Sequence, residues 1–151
     1  GMLAMDTMRM ESGYLHWGHD MSPEENQYQA GLQFAISYKK NIDFVGKNTL
    51  LKIKGKIPSK NFIMLTLQNS KPGEPLILHD EPIYLEDKII GRTTSGNYSF
   101  NFKKNLAFGY VSIDLSKEDL KNKKLQIEVA KIKYTAELQT KPLNQKNFKT
   151  I

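Results

Sequence analysis

The sequence predicts a mostly β chain with short N-terminal helices, an α+β class whose second part is a barrel or sandwich of six or seven short antiparallel strands. Three observations carry this. From Asn61 onward, short apolar or alternating runs are separated by Gly, Pro, Asn and Asp clusters. Gly91 to Val111, GRTTSGNYSFNFKKNLAFGYV, reads as two aromatic-bearing strands around a polar break, a β-hairpin. Before Asn61 the periodicity is helical or irregular.

Leu3 to Ser12 is made of good helix formers, with Gly13 placed to stop the helix. Tyr14 to Met21, YLHWGHDM, packs aromatics and histidines into an irregular piece. Ser22-Pro23-Glu24-Glu25 has the form of a short helix start, Ser as N-cap and Pro in the first turn. Gln29 to Tyr38 alternates weakly and is expected as a strand, with Leu32, Phe34 and Ile36 on one face. Asp43 to Lys54 returns to helical spacing, and the breakers Gly55, Pro58 and Ser59 end it. The main boundary is placed near Ile42.

Phe62 to Leu67 is almost continuously apolar, as suits a strand buried on both faces. Ile83 to Leu85 and Lys88 to Ile90 flank Glu86-Asp87 as a hairpin. In the Gly91 stretch, Thr93 to Gly96 is expected to be a hydroxyl-rich turn. Tyr98, Phe100 and Phe102 then share one side of a strand. One helical turn is expected at Ser116 to Asp119. Leu125, Ile127 and Val129 alternate, and the phase slips at Ala130-Lys131 before Ile132 to Leu138, a tight turn or a bulge. Asn144 to Ile151 is expected to be a frayed tail.

Length and composition narrow the function classes. The chain has 151 residues, 39% hydrophobic and 25% charged, enough for a real core in one domain or slightly more. Apolar runs fall far short of the about 20 residues that span a bilayer, so no membrane partner is expected. The N-terminus lacks a basic region and an apolar core, so no secretory leader is expected. The absence of cysteine excludes disulfides, thiolate catalysis and cysteine zinc sites, and fits a cytoplasmic location. The net charge of +6 comes mainly from dispersed lysines, with Arg9 and Arg92 the only arginines. Such a pattern reads as a solvated surface, and no nucleic-acid partner is expected.

Few residues carry chemistry on their own. His16-x-x-His19 beside Asp20 has chelating spacing but no assigned third ligand, and no metal is expected. Thr94-Ser95-Gly96 lacks a neighbouring base and reads as a turn whose hydroxyls cap backbone amides. Dinucleotide, Walker and nucleophile-elbow motifs are absent. Arg9 is more informative. A guanidinium in a Met-rich apolar segment needs a partner, and Glu11, two residues on, points elsewhere on a helix. The two should therefore hold separate partners. Trp17 and Phe34 either pack in a core or offer a stacking face to a flat ring.

Four stretches in order, MDTMRMESGYLHWGHDM (5–21), QAGLQFAI (29–36), DFVGKNTLLKIK (43–54) and IIGRTTSGNYSFNFKKNLAFGYV (89–111), resemble the C-terminal part of the aminomethyltransferase family. That family includes the glycine-cleavage T-protein and the folate-binding half of dimethylglycine and sarcosine dehydrogenases. Trp17 before Gly18 resembles the dehydrogenase branch. The resemblance runs to about Leu143. It implies the end of a folate-binding α+β region over 1–41, a C-terminal six- or seven-stranded antiparallel barrel over 42–143, and a tail over 144–151.

The resemblance also implies tetrahydrofolate as cofactor, with FAD in an upstream domain in the dehydrogenase branch, and a small N-methylated amino acid as substrate. It assigns Arg9, Glu11, Trp17, Phe34 and Tyr98 to the folate wall and no catalytic residue to this chain, since the family's catalytic aspartate falls upstream of position 1. The chain is therefore expected to be a fragment of a one-carbon enzyme, inactive alone and completed by the rest of the same polypeptide or by a partner subunit. The alternative is a non-catalytic binding or regulatory module on the same barrel.

Overall fold

The computed structural model describes residues 1–40, 42–112 and 114–144. Helix α1 spans Met2–Glu11. It stops as its sequence dictates: Gly13 takes φ +76°, the Tyr14 amide returns to Arg9 O at 2.8 Å, and the Gly13 amide to Met10 O at 3.1 Å. This is a Schellman closure.

Between α1 and the barrel the chain is mostly turns. The strand expected over Gln29–Tyr38 is instead a 3₁₀ turn, Gln33–Ala35, flanked by turns and bends. A closed barrel has no free edge to accept another strand, so weak alternation there finds no partner. Ser22 to Glu25 likewise remains a turn. The Glu25 carboxylate accepts from the Ser22 amide and hydroxyl at 2.7 and 2.8 Å, yet no helix propagates from these contacts. Helix α2, Lys47–Ile53, follows Gly46 in the left-handed region and buries none of its residues.

Six strands among the described residues close an antiparallel barrel: β1 (Asn61–Leu67), β2 (Pro82–Leu85), β3 (Lys88–Ser99), β4 (Lys104–Val111), β5 (Leu125–Val129) and β6 (Ile132–Gln139). Their order is β1-β4-β3-β2-β5-β6, with β6 returning to β1. β1 is buried on both faces for a simple reason. Ile63, Leu65 and Leu67 point into the barrel, while Phe62 packs outward with Met10, Leu106 and Phe108 under α1. Helix α3, Lys117–Lys121, starts in a capping box between Ser116 and Asp119 and drives Leu120 into the barrel core. Ala130 and Lys131, at φ 50° and 67°, form the tight β5–β6 turn.

β3 differs from the sequence reading. Thr93 to Gly96 is not a turn but the middle of a 12-residue strand, and the chain reverses at 100–103. Phe100 and Phe102 therefore sit in the turn, exposed. Within the strand, the register with β4 shifts between Thr93 and Ser95, a β-bulge. At Gly91 the strands run so close that a Cβ would stand 1.9 Å from the Tyr110 carbonyl oxygen, which is why glycine is needed.

Candidate functional site

The last turn of α1 is fastened to β3 by two buried acids, one for each residue of the Arg-x-Glu pair. Arg9, with its side chain 14% exposed, donates from Nε to Asp6 at 2.8 Å and from one terminal nitrogen to Asp20 at 2.6 Å and the Tyr14 carbonyl at 3.2 Å. Its other terminal nitrogen donates to Ser95 Oγ at 2.8 Å. The guanidinium also lies 5.9 Å from the centre of the Phe108 ring. Glu11, 2% exposed, accepts from Ser99 Oγ at 2.5 Å and Asn101 Nδ2 at 2.9 Å. Arg9 and Glu11 thus have separate partners, as two residues of spacing on a helix predicts.

Asp20 is the hub. Its side chain is 0% exposed. One carboxylate oxygen accepts from Arg9 and from the His16 amide at 2.9 Å; the other accepts from Thr94 Oγ1 at 2.6 Å and Ser95 Oγ at 2.7 Å. The carboxylate weighed above as a metal ligand is thus spent on four hydrogen bonds. Sequence reasoning missed this role, although part of the signal was there: a buried arginine needs acid partners, and Asp20 lies eleven positions on.

The remaining residues assigned by resemblance lie apart. Trp17 is 63% exposed where it bridges Met21 at the base of the 17–21 turn, and Phe34 is 82% exposed. Tyr98 lies on β3, its carbonyl 3.4 Å from Thr7 Oγ1 and its ring edge-on to Phe100 at 5.0 Å. Arg9, Glu11 and Tyr98 share the α1–β3 seam, whereas Trp17 and Phe34 face solvent.

Two clefts flank the seam. The larger, about 630 Å³, is lined by Asp20, Glu25, Lys60, Arg92, Thr94 and Tyr110 among others. Lys60 pairs with Glu25 at 2.5 Å and lies 5.3 Å from the centre of the Tyr110 ring. The Tyr110 hydroxyl is buried without a hydrogen-bond partner among the described residues. Burial, then the carboxylates of Glu25 and Asp20, push it well above the usual phenol range, so it stands as a neutral donor. The smaller cleft, about 310 Å³, brings His16, His19 and His79 together with Asp6 and Arg9. The His16 and His19 rings are 4.6 Å apart. No helix among the described residues is long and apolar enough to cross a membrane.

A closed six-stranded barrel, with a preceding helix and loop clamped to its third strand by an Arg-x-Glu pair, defines an aminomethyltransferase-like C-terminal domain. Residues 60–144 match the family model of the glycine cleavage T-protein C-terminal barrel domain, and residues 1–40 match that of the GCVT N-terminal domain. The chain belongs to this family. It is 33% identical over 143 residues to human mitochondrial dimethylglycine dehydrogenase, covering 95% of the chain and 16% of that protein. It is 32% identical over 113 residues to the aminomethyltransferase of Symbiobacterium thermophilum, covering 75% of the chain and 29% of that protein. The crystal structure of glycine cleavage system aminomethyltransferase T from Bartonella henselae shares the fold. Its TM-score is 0.77 at 24% identity, over 93% of this chain and 38% of that one. The chain therefore spans about a sixth of the length of the dehydrogenase relatives it matches.

Proposed function

We propose that this domain forms one wall of a tetrahydrofolate site in an aminomethyltransferase-like enzyme of the dimethylglycine or sarcosine dehydrogenase kind, acting on a small N-methylated amino acid. The support is the joint match of both family models in order, together with the seam that fixes the Trp17 loop against the barrel. Tetrahydrofolate supplies an acceptor for a one-carbon unit.

The residues present fit such a group. The open face of Trp17 offers a stacking surface, whereas Phe34, though exposed, lines neither cleft. The adjoining cleft has the volume of a ligand site, and behind its wall lies the buried Tyr110 hydroxyl, without a hydrogen-bond partner among the described residues. Arg9 and Glu11 serve as the frame behind this wall, because their polar atoms are already engaged in the seam. Tyr98 stands beside them on β3. No glycine-rich phosphate loop is present in the sequence, so no residue of this chain is assigned to FAD; in this reading a flavin belongs to another part of the enzyme.

Trp17 is the sole tryptophan, which gives a clean reporter. Titrating tetrahydrofolate should quench its emission saturably, beyond the inner-filter effect seen with N-acetyltryptophanamide. Quenching identical to that control contradicts the proposal.

A further inference from the structure

We infer that Asp20 is a positioning residue: its buried carboxylate latches the Trp17 loop onto the β3 bulge, and thereby sets where Trp17 stands beside the larger cleft. The geometry of β3 carries this. In a regular strand, consecutive side chains point to opposite faces, so Thr94 and Ser95 could not both reach one atom. The register shift between Thr93 and Ser95 removes that restriction. Both hydroxyls then donate to the same Asp20 oxygen, at 2.6 and 2.7 Å. The bulge is thus a receptor for one carboxylate.

The loop closes around the same residue. The amides of His19, Asp20 and Met21 all return to the His16 carbonyl, and the Gly18 amide bonds Met21 O at 2.8 Å. The His16 amide donates to Asp20 Oδ2, the oxygen that also receives Arg9. Trp17 pairs with Met21 at the base of this knot with its side chain exposed, and its neighbours Gly18, His19 and Met21 line the cleft. Ser95 joins both halves, accepting from Arg9 while donating to Asp20. Moving the carboxylate moves Trp17, and no other acid among the described residues bonds both α1 and β3 through this loop.

The consequence for ligand capture rests on the folate reading above, whereas the latch itself does not. Two measurements separate them. In the wild-type chain, hydrogen exchange should find the amides of His16, Gly18 and Asp20 protected like those of β3. The Thr94→Val/Ser95→Ala double variant keeps Asp20 and its Arg9 pair but loses both bulge hydroxyls. Its Trp17 fluorescence anisotropy should decay faster than in wild type, and tetrahydrofolate affinity should fall about tenfold. Thr94→Ser, which keeps a donor at the bulge, should leave the anisotropy decay near that of wild type. Wild-type amides exchanging as fast as an unstructured loop overturn the latch, as does an unchanged anisotropy decay in the folded double variant. If the wild-type chain does not bind tetrahydrofolate, the folate reading fails while exchange and anisotropy still decide the latch.

Discussion

Arg9 and Asp20 meet at 2.6 Å, eleven positions apart in sequence, with the Asp20 side chain shut off from water. The pair joins α1, the Trp17 loop and, through Ser95, the barrel. Removing one member of a buried pair leaves the other charge uncompensated, which costs about 3–5 kcal/mol. Arg9→Ala should therefore lower stability by about 3 kcal/mol in urea unfolding. A loss below about 1 kcal/mol, the range of an exposed pair, contradicts the burial.

Glu11 tests the other half of the seam. Its carboxylate accepts from Ser99 and Asn101, and Ser99 Oγ also receives the Phe102 amide at 3.0 Å, so the β3–β4 turn hangs from this acid. Glu11→Ala should cost about 1.5–3 kcal/mol, as for hydrogen bonds to a charged group. Glu11→Gln should cost clearly less, because the amide keeps an acceptor and the Ser99 hydroxyl can rotate to suit. Equal losses from the two substitutions in thermal unfolding would show that the carboxylate charge, not the side chain's shape or a single retained acceptor, carries the contribution.

Much of this fold is legible in the residues. The Met-rich helix and its glycine stop, the doubly buried β1, the helical turn from Ser116 and the Ala130-Lys131 turn all follow from local rules that tertiary packing did not override. The errors come from non-local facts. Gln29–Tyr38 has strand alternation but faces a barrel with no open edge. Thr93–Gly96 has turn composition, yet pairing with β4 carries it through as a bulged strand, and its hydroxyls serve a carboxylate about 75 positions away rather than nearby amides. The spacing of Arg9 and Glu11 announced separate partners; it did not announce that Asp20 would be one of them. The sequence leaves Trp17 and Phe34 open between core and stacking face; both are exposed.

Acid should loosen the wall of the larger cleft. Glu25 titrates below its ordinary value of 4.5: burial pushes it up, but hydrogen bonds from Lys60 and Ser22 and the charge of Lys60 outweigh this. Because the folded value lies below the unfolded one, the unfolded chain binds more protons between them. The stability from this group is thus complete above 4.5 and is lost as pH falls through the lower folded value. Lys60→Met should flatten this acid-side decline in melting temperature, and an identical pH profile would show that the pair contributes nothing.

Transferase assays give a further check. The chain carries no residue assigned to catalysis and spans 16% of its dehydrogenase relatives, so it should show no aminomethyl transfer on its own. Turnover above background with tetrahydrofolate and an N-methylated amino acid contradicts that expectation and would require a catalytic group within these residues.

The most direct measurement is calorimetric titration of tetrahydrofolate into the wild-type chain and into Trp17→Leu, whose indole is lost at a solvent-facing position that leaves the seam intact. A folate wall built on the Trp17 loop gives a saturable heat with the first protein and a heat weakened about tenfold or more with the second, as expected when a base-like ring loses its aromatic partner. No binding heat from the wild-type chain, or the same isotherm from both, contradicts it.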